Sequence, residues 1–305
     1  MSNPEQIHPR GYCLSLSDGT EWWITGYEDG IYLADKLAFV MGLRECPLNN
    51  SPMLIFLEKT NDIINGDYID LFKLKLPNAE SNWRMYDLGI FRMWYDGVFS
   101  NVVCQSRIEE HINNIEYRII WYSLHSIYRK SMRIGGLPFH AGVAEYNGCG
   151  ILLSAESGTG KSTCCRRLPS HWKALCDDEA LIVRSKDGNY RIHPFPTWST
   201  YLNNREPNTW QVEYSVPASA IFLLEQSDID EVIPLHATQS IIPIINSAIQ
   251  SCNKFIKNAG REYQPELMRE VFNNAYEIAK TIPVFRLRVS LNGRFWEEIE
   301  KVLDL

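Results

Sequence analysis

The chain has 305 residues, 45% hydrophobic and 22% charged, with a formal net charge of −7 at pH 7. That length buries a large core and predicts two domains or one domain with a substantial extension. The acidic balance, with no block of Lys/Arg interleaved with aromatics, argues against a nucleic-acid partner. No window approaches the run of about 20 apolar residues that spans a bilayer, and residues 1–10 lack a signal-peptide core, so a cytoplasmic protein without a membrane partner is expected. The eight cysteines include no C-x-x-C pair and no Cys/His cluster at zinc spacing, so they are expected as reduced thiols.

Residues 10–105 read as short strands separated by turn signals at Ser17-Asp18-Gly19, Glu28-Asp29-Gly30, Asn65-Gly66-Asp67 and Tyr95-Asp96-Gly97. Trp22, Trp23, Trp83, Trp94, Tyr86 and Tyr95 crowd this region, either as a packed core or as an aromatic groove for a peptide, the core being the default. From Arg107 to Arg133 apolar residues at Ile108, Ile112, Ile115, Ile119, Leu124 and Ile127 recur at helical spacing, predicting an amphipathic helix. Ile134-Gly135-Gly136-Leu137-Pro138 ends it and divides the chain into a β-rich region over 1–134 and a second domain over 135–305.

Asn147-Gly148, flanked by apolar runs, predicts a hairpin whose second strand is Cys149–Ser154. That strand runs into Ala155-Glu156-Ser157-Gly158-Thr159-Gly160-Lys161-Ser162-Thr163, and a helix follows from Ser162 to Leu168. Strand, glycine-rich loop and helix in this order form a phosphate cradle. Backbone N–H groups surround the oxygens, Lys161 reaches the β/γ-phosphates and the Ser162 hydroxyl ligates Mg²⁺. Ala155 stands where the strict pattern has glycine, and an ordinary Gly/Ser turn before a lysine is the plainer alternative. Next, a strand at Ala174–Cys176 leads into Asp177-Asp178-Glu179, which alone would be a solvated turn but here lies behind an apolar strand close after the loop. Further strands are predicted at Ala218–Leu224 and Val284–Val289, with helices at Thr238–Lys257, Pro265–Lys280 and Phe295–Leu303.

Four elements in order, His140-Ala141-Gly142-Val143, Asn147-Gly148, Ser157-Gly158-Thr159-Gly160-Lys161-Ser162 and Cys176-Asp177-Asp178, resemble the catalytic domain of the HPr kinase/phosphorylase family. The similarity covers roughly residues 135–305, and within the superfamily the chain looks closest to HPr-kinase-like proteins of peptide-modification cassettes, such as the SynChlorMet group, and to kinases associated with lasso peptides. The resemblance implies an α/β (α+β) fold, a P-loop domain of HPr-kinase/PEP-carboxykinase type preceded by the β-rich region and the long helix. It implies ATP and Mg²⁺, with Ser157, Gly158, Thr159, Gly160, Lys161, Ser162 and Thr163 binding nucleotide. Asp177 becomes the acid/base carboxylate with His140 beside it, and Ser162 with Asp178 the metal side, Glu179 being an alternative there.

Phosphoryl transfer is mostly positioning and electrostatic stabilisation, so a cationic cradle, Mg²⁺ and one proton-accepting carboxylate suffice. In an extended segment Asp177 and Asp178 point to opposite faces, so only one need face the nucleotide, and Asp177 is taken as the base. His140 on its own would be an ordinary core or surface histidine. His193-Pro194-Phe195-Pro196-Thr197-Trp198-Ser199 departs from the Arg- and Gly-rich signature used by the family in phosphorolysis, which speaks against the reverse reaction and against HPr as substrate. His193 and Thr197 are candidates for an acceptor or phosphate pocket, with a rigid connector equally open; Arg205 is a candidate for γ-phosphate charge, its default being a surface arginine. The expected activity is an ATP-dependent kinase acting on a hydroxyl, a serine of a peptide or small protein. A non-catalytic ATP-binding regulator and a small-metabolite alcohol kinase are the alternatives, and a homo-oligomer is left open.

Overall fold

The computed structural model describes residues 10–27, 30–57, 83–96, 101–106, 115–156, 158–203, 208–258 and 263–305. The first sheet contains β1 (Gly11–Ser15), β2 (Glu21–Tyr27), β3 (Arg44–Cys46), β4 (Met53–Leu57), β5 (Arg84–Asp87), β6 (Phe91–Tyr95) and β7 (Asn101–Ser106) in the order β3-β1-β2-β4-β7-β6-β5. Parallel pairing of β2 with β4 and of β4 with β7 needs crossovers. Part of the first crossover is α1 (Ile31–Met41), a helix among the short strands of a region expected to be mixed and β-rich. Leu33, Ala34, Leu37, Ala38 and Met41 bury one face of it, and Gly42 at φ 65° ends it in the left-handed conformation. The turns expected at Asn65-Gly66-Asp67 and Glu28-Asp29 lie outside the described residues.

The tryptophans settle into the core. Trp22 lies with the α1 side of the sheet, while Trp23 and Trp94 join Met53, Ile55 and Val103 in a separate cluster. All three are buried, so they offer no aromatic groove to a peptide. Cys13 and Cys46 form a disulfide between neighbouring strands β1 and β3, correcting the expectation of reduced thiols at this pair. The register opposes Gly11 to Cys46 and Cys13 to Arg44, which sets the two cysteines two residues apart diagonally on one face, within bridging reach. The other six are free thiols.

The predicted long helix is α2 (Ile115–Met132); Ile108 and Ile112 lie outside the described residues. It is buried nearly all round, including Ser123, His125, Ser126, Arg129 and Ser131, rather than having one solvated face. The reason is its position: it touches α1 and β7 on one side and, on the other, a strand and three helices built from residues 137–281. Its buried Arg129 is ion-paired with Glu270.

The second sheet contains β8 (Leu137–Phe139), β9 (Ala141–Tyr146), β10 (Cys149–Ser154), β11 (Lys173–Cys176), β12 (Glu179–Arg184), β13 (Tyr190–Phe195), β14 (Val216–Gln226), β15 (Glu231–Leu235) and β16 (Val284–Val289). Helices α3 (Lys161–Arg167), α4 (Trp198–Leu202), α5 (Ala237–Asn258), α6 (Gln264–Thr281) and α7 (Phe295–Leu303) complete the chain. The sheet order is β11-β9-β10-β14-β13-β12-β8, with β16 beside β14 and β15 beside β16. Strands β10, β14 and β16 run parallel, so the turns leaving them cluster at one sheet end, where α/β proteins place ligands. One hydrophobic cluster includes Leu14, Trp22 and Phe56 together with Leu137, Phe139 and Ile182, so both sheets share a core. No helix among the described residues is long and apolar enough to cross a membrane.

Candidate functional site

The hairpin of β9 and β10 turns at Asn147 (φ 49°) and Gly148 (φ 78°), the left-handed pair that a two-residue turn demands. Strand β10, buried between β9 and β14, delivers the chain to Ala155 at the sheet end. In the loop beyond it, Gly158 (φ 86°) and Gly160 (φ 109°) adopt conformations that L side chains rarely enter. A Cβ at either would meet nothing within 4 Å, so backbone angle demands glycine there and the space before the loop is open. The Thr159 N–H donates to the Glu156 carbonyl at 3.2 Å and closes the turn.

Lys161 is only 7% exposed, and its ammonium donates to the carbonyls of Ala155 (2.8 Å) and Glu156 (3.4 Å). Burial pulls its pKa down, with Asp178 first among the groups opposing that. Among the described residues no carboxylate pairs with it. A buried cation held by carbonyls alone, beside an open glycine cradle, fits a polyanion. Ser162 and Thr163 follow on the first turn of α3, and Ser157 lies outside the described residues.

Asp177 and Asp178 occupy the bend between β11 and β12, where the chain leaves its pairing with β9 and joins β13 and β8. The two carboxylates have different partners. The Thr197 hydroxyl donates to Asp177 Oδ1 at 2.6 Å, and the Asp177 N–H donates to the oxygen of that hydroxyl at 3.4 Å. Asp178 Oδ1 lies 3.3 Å from His140 Nδ1. The carboxylate that His140 pairs with is Asp178, the neighbour of the Asp177 beside which the resemblance places it. Glu179 does not reach the metal side: it is 3% exposed and accepts hydrogen bonds from Trp121 Nε1 (2.9 Å) and the Tyr128 hydroxyl (2.8 Å), both on α2. Burial first, then Asp178, raises its pKa.

His140 is tied to the loop by residues that carried no sequence signal. Its N–H lies 3.1 Å from Ser247 Oγ on α5, and Ser247 Oγ lies 2.9 Å from Ser154 Oγ at the end of β10. Ser247 is 107 residues from His140, and nothing in the α5 sequence distinguishes it from scaffold. Likewise Gln226, at the end of β14, donates to the Thr159 carbonyl at 3.2 Å.

His193 does not join the site. It is fully buried, its Nδ1–H donates to the Val212 carbonyl (2.7 Å), and its Nε2 accepts from the Ser17 N–H (3.1 Å). It thus seams β13 to the first sheet and is inaccessible to phosphate, whereas Thr197 four residues on is at the site. Arg205 lies outside the described residues.

Two cavities flank the loop. One of about 240 Å³ adjoins Ser154, Ala155 and Ser247; the other, of about 660 Å³, adjoins Gly160 and Thr163. Among the described residues no group of three or more His, Cys, Asp or Glu side chains is arranged to hold a metal.

The model of the SynChlorMet cassette protein ScmC family matches residues 102–304, about two-thirds of the chain. The chain belongs to this family. No curated protein matches it. The ScmC match contains the loop, His140, Asp177, Asp178 and Thr197, and it begins early enough to include α2 with Trp121 and Tyr128. The ScmC unit therefore carries the helix that holds Glu179, while β1 to β6 precede it.

Proposed function

We propose that this protein is a phosphotransferase of HPr-kinase type, with a P-loop fold, that uses ATP and Mg²⁺ to phosphorylate a hydroxyl, a serine of a peptide or small protein handled by the same cassette. One observation carries the proposal: the buried Lys161 with its open glycine loop shares a sheet end with Asp177 and with the His140–Asp178 pair. Lys161 exchanges its carbonyl partners for phosphate oxygens, a substitution of neutral acceptors by charged ones that strengthens each bond. Asp177, with Oδ1 fixed by Thr197, presents Oδ2 to the acceptor hydroxyl and takes its proton. Ser162 and Asp178 are the residues that would hold Mg²⁺ with the phosphate oxygens, and that ion would neutralise charge developing on the transferred group. His140 steadies Asp178. The Pro/aromatic segment His193–Ser199, standing where the HPr kinase family carries an Arg- and Gly-rich signature, is what speaks for a one-way kinase and an acceptor other than HPr.

Labelled ATP, Mg²⁺ and peptides encoded beside the gene, followed by mass spectrometry, test this. Asp177→Asn should keep nucleotide affinity and lose at least about 100-fold in transfer, the usual share of a general base. Lys161→Ala should lose both. ATP binding with no transfer to any hydroxyl would instead make the protein a nucleotide-sensing regulator of the cassette assembly.

A further inference from the structure

We propose that the cavity of about 660 Å³ beyond Thr163 receives the nucleoside half of the nucleotide, and that Leu291 supplies the apolar surface for its base. This placement rests on the phosphate-binding proposal above and adds to it the part of the ligand that the loop does not recognise. The direction comes from the reacting end. Lys161, Ala155, His140 and Asp178 gather on one side of the loop, so the terminal phosphate belongs there and the phosphate chain runs away from them, over Gly160 and the first turn of α3. The cavity begins at Gly160 and Thr163, and its size lies within the roughly 300–1,000 Å³ of small-molecule sites.

Its walls are fastened to the loop. The Arg167 guanidinium donates to the carbonyls of Ser290 and Gly293 and lies 5.3 Å from the Phe295 ring centroid, which locks the turn after β16 onto α3. Gln226 binds the Thr159 carbonyl, which locks the turn after β14 onto the loop. At the mouth stands Leu291, 80% exposed and the most exposed large apolar side chain among those described. A flat heteroaromatic base laid against Leu291 would bury that surface, and the polar wall of Gln226 and Ser290 suits the hydroxyls of a ribose.

Calorimetric titration of the full chain with ATP and with inorganic tripolyphosphate, both with Mg²⁺, separates the two halves of the ligand. Wild type should bind ATP more tightly than tripolyphosphate. Leu291→Ser should weaken ATP about five- to tenfold and leave tripolyphosphate unchanged, and Leu291→Trp should restore ATP affinity by returning an apolar platform. Because Leu291 is exposed, neither change threatens the fold. Equal wild-type affinity for the two ligands, or ATP binding indifferent to Leu291→Ser, overturns the nucleoside site while leaving the phosphate loop standing. Failure of wild type to bind either ligand overturns the phosphate loop itself.

Discussion

Glu179 is the residue whose replacement tests most directly how the candidate site is supported. Its carboxylate accepts from half-buried Trp121 and buried Tyr128, both on α2. Glu179→Ala leaves two inward-facing donors without an acceptor, at about 1–3 kcal/mol each, so roughly 2–6 kcal/mol in all. Against a total stability of about 5–15 kcal/mol that is a large fraction. Glu179→Gln retains one acceptor oxygen and should cost about half as much. The pH dependence gives an independent signature. Burial and Asp178 raise the Glu179 pKa, so above the ordinary carboxyl value the folded chain holds a proton that the unfolded chain has released. That contribution is fully present below the unfolded pKa and is lost as pH rises through the folded one. Urea midpoints by circular dichroism from about pH 5 to 9 should show wild type losing stability with rising pH relative to Glu179→Gln, which has no such proton. Parallel slopes for the two, or a Glu179→Ala cost under about 0.5 kcal/mol, would refute the clamp.

Gly142 has Cys165 Sγ 2.5 Å and the Asp177 Cα 3.6 Å from where a Cβ would sit, so Gly142→Ala should cost about 1–3 kcal/mol by overpacking. Adding Cys165→Ala should recover most of it in the same urea assay; no recovery would mean the strain lies elsewhere. His125 and His193 are held neutral by burial, with pKa values lowered to about 4, and protonating His193 would also end its acceptance of the Ser17 N–H. Between about pH 6.5 and 4 the unfolded chain binds protons that the folded one refuses, so stability should fall on acidification by on the order of 3 kcal/mol per histidine at the end of that window. His125→Phe should flatten the acid limb of a calorimetric Tm profile, and an unchanged limb would count against it. Reducing Cys13–Cys46, which closes 33 residues of sequence, should cost roughly 2–4 kcal/mol, read as a urea midpoint shift matched by Cys13→Ser.

The sequence was most legible where local chemistry dictates backbone angle. Asn147-Gly148, Gly158 and Gly160 announce left-handed positions, and the hairpin, loop and following helix stand where those residues put them. The strands and helices from residue 216 onward also matched their apolar periods, except β15, whose half-buried Glu231–Leu235 includes a proline and pairs with β16 off the main path of the sheet. Residues 10–105 are harder to read because α1 sits between strands, and the Gly42 that ends it in the left-handed conformation carries the same cue as the glycines of strand turns. Long-range partners were invisible. Strand alternation does not apply to Asp177 and Asp178, because the two form a bend between β11 and β12, and which of them meets His140 depends on how that bend is turned. No local pattern marks Ser247 for His140, Ser17 for His193, or Cys13 for Cys46, since each pairing is made by the assembled sheets.

The seam between His193 and Ser17 spans 176 residues of chain. During synthesis Ser17 emerges well before His193, so its N–H has no acceptor until β13 is made, and the core shared by the two sheets closes only once both ends of the seam exist. A polypeptide started after the first sheet would leave the His193 imidazole without the Ser17 N–H and the shared core open on that side. The amino-terminal sheet is thereby part of what buries β13 in the half that carries the glycine loop.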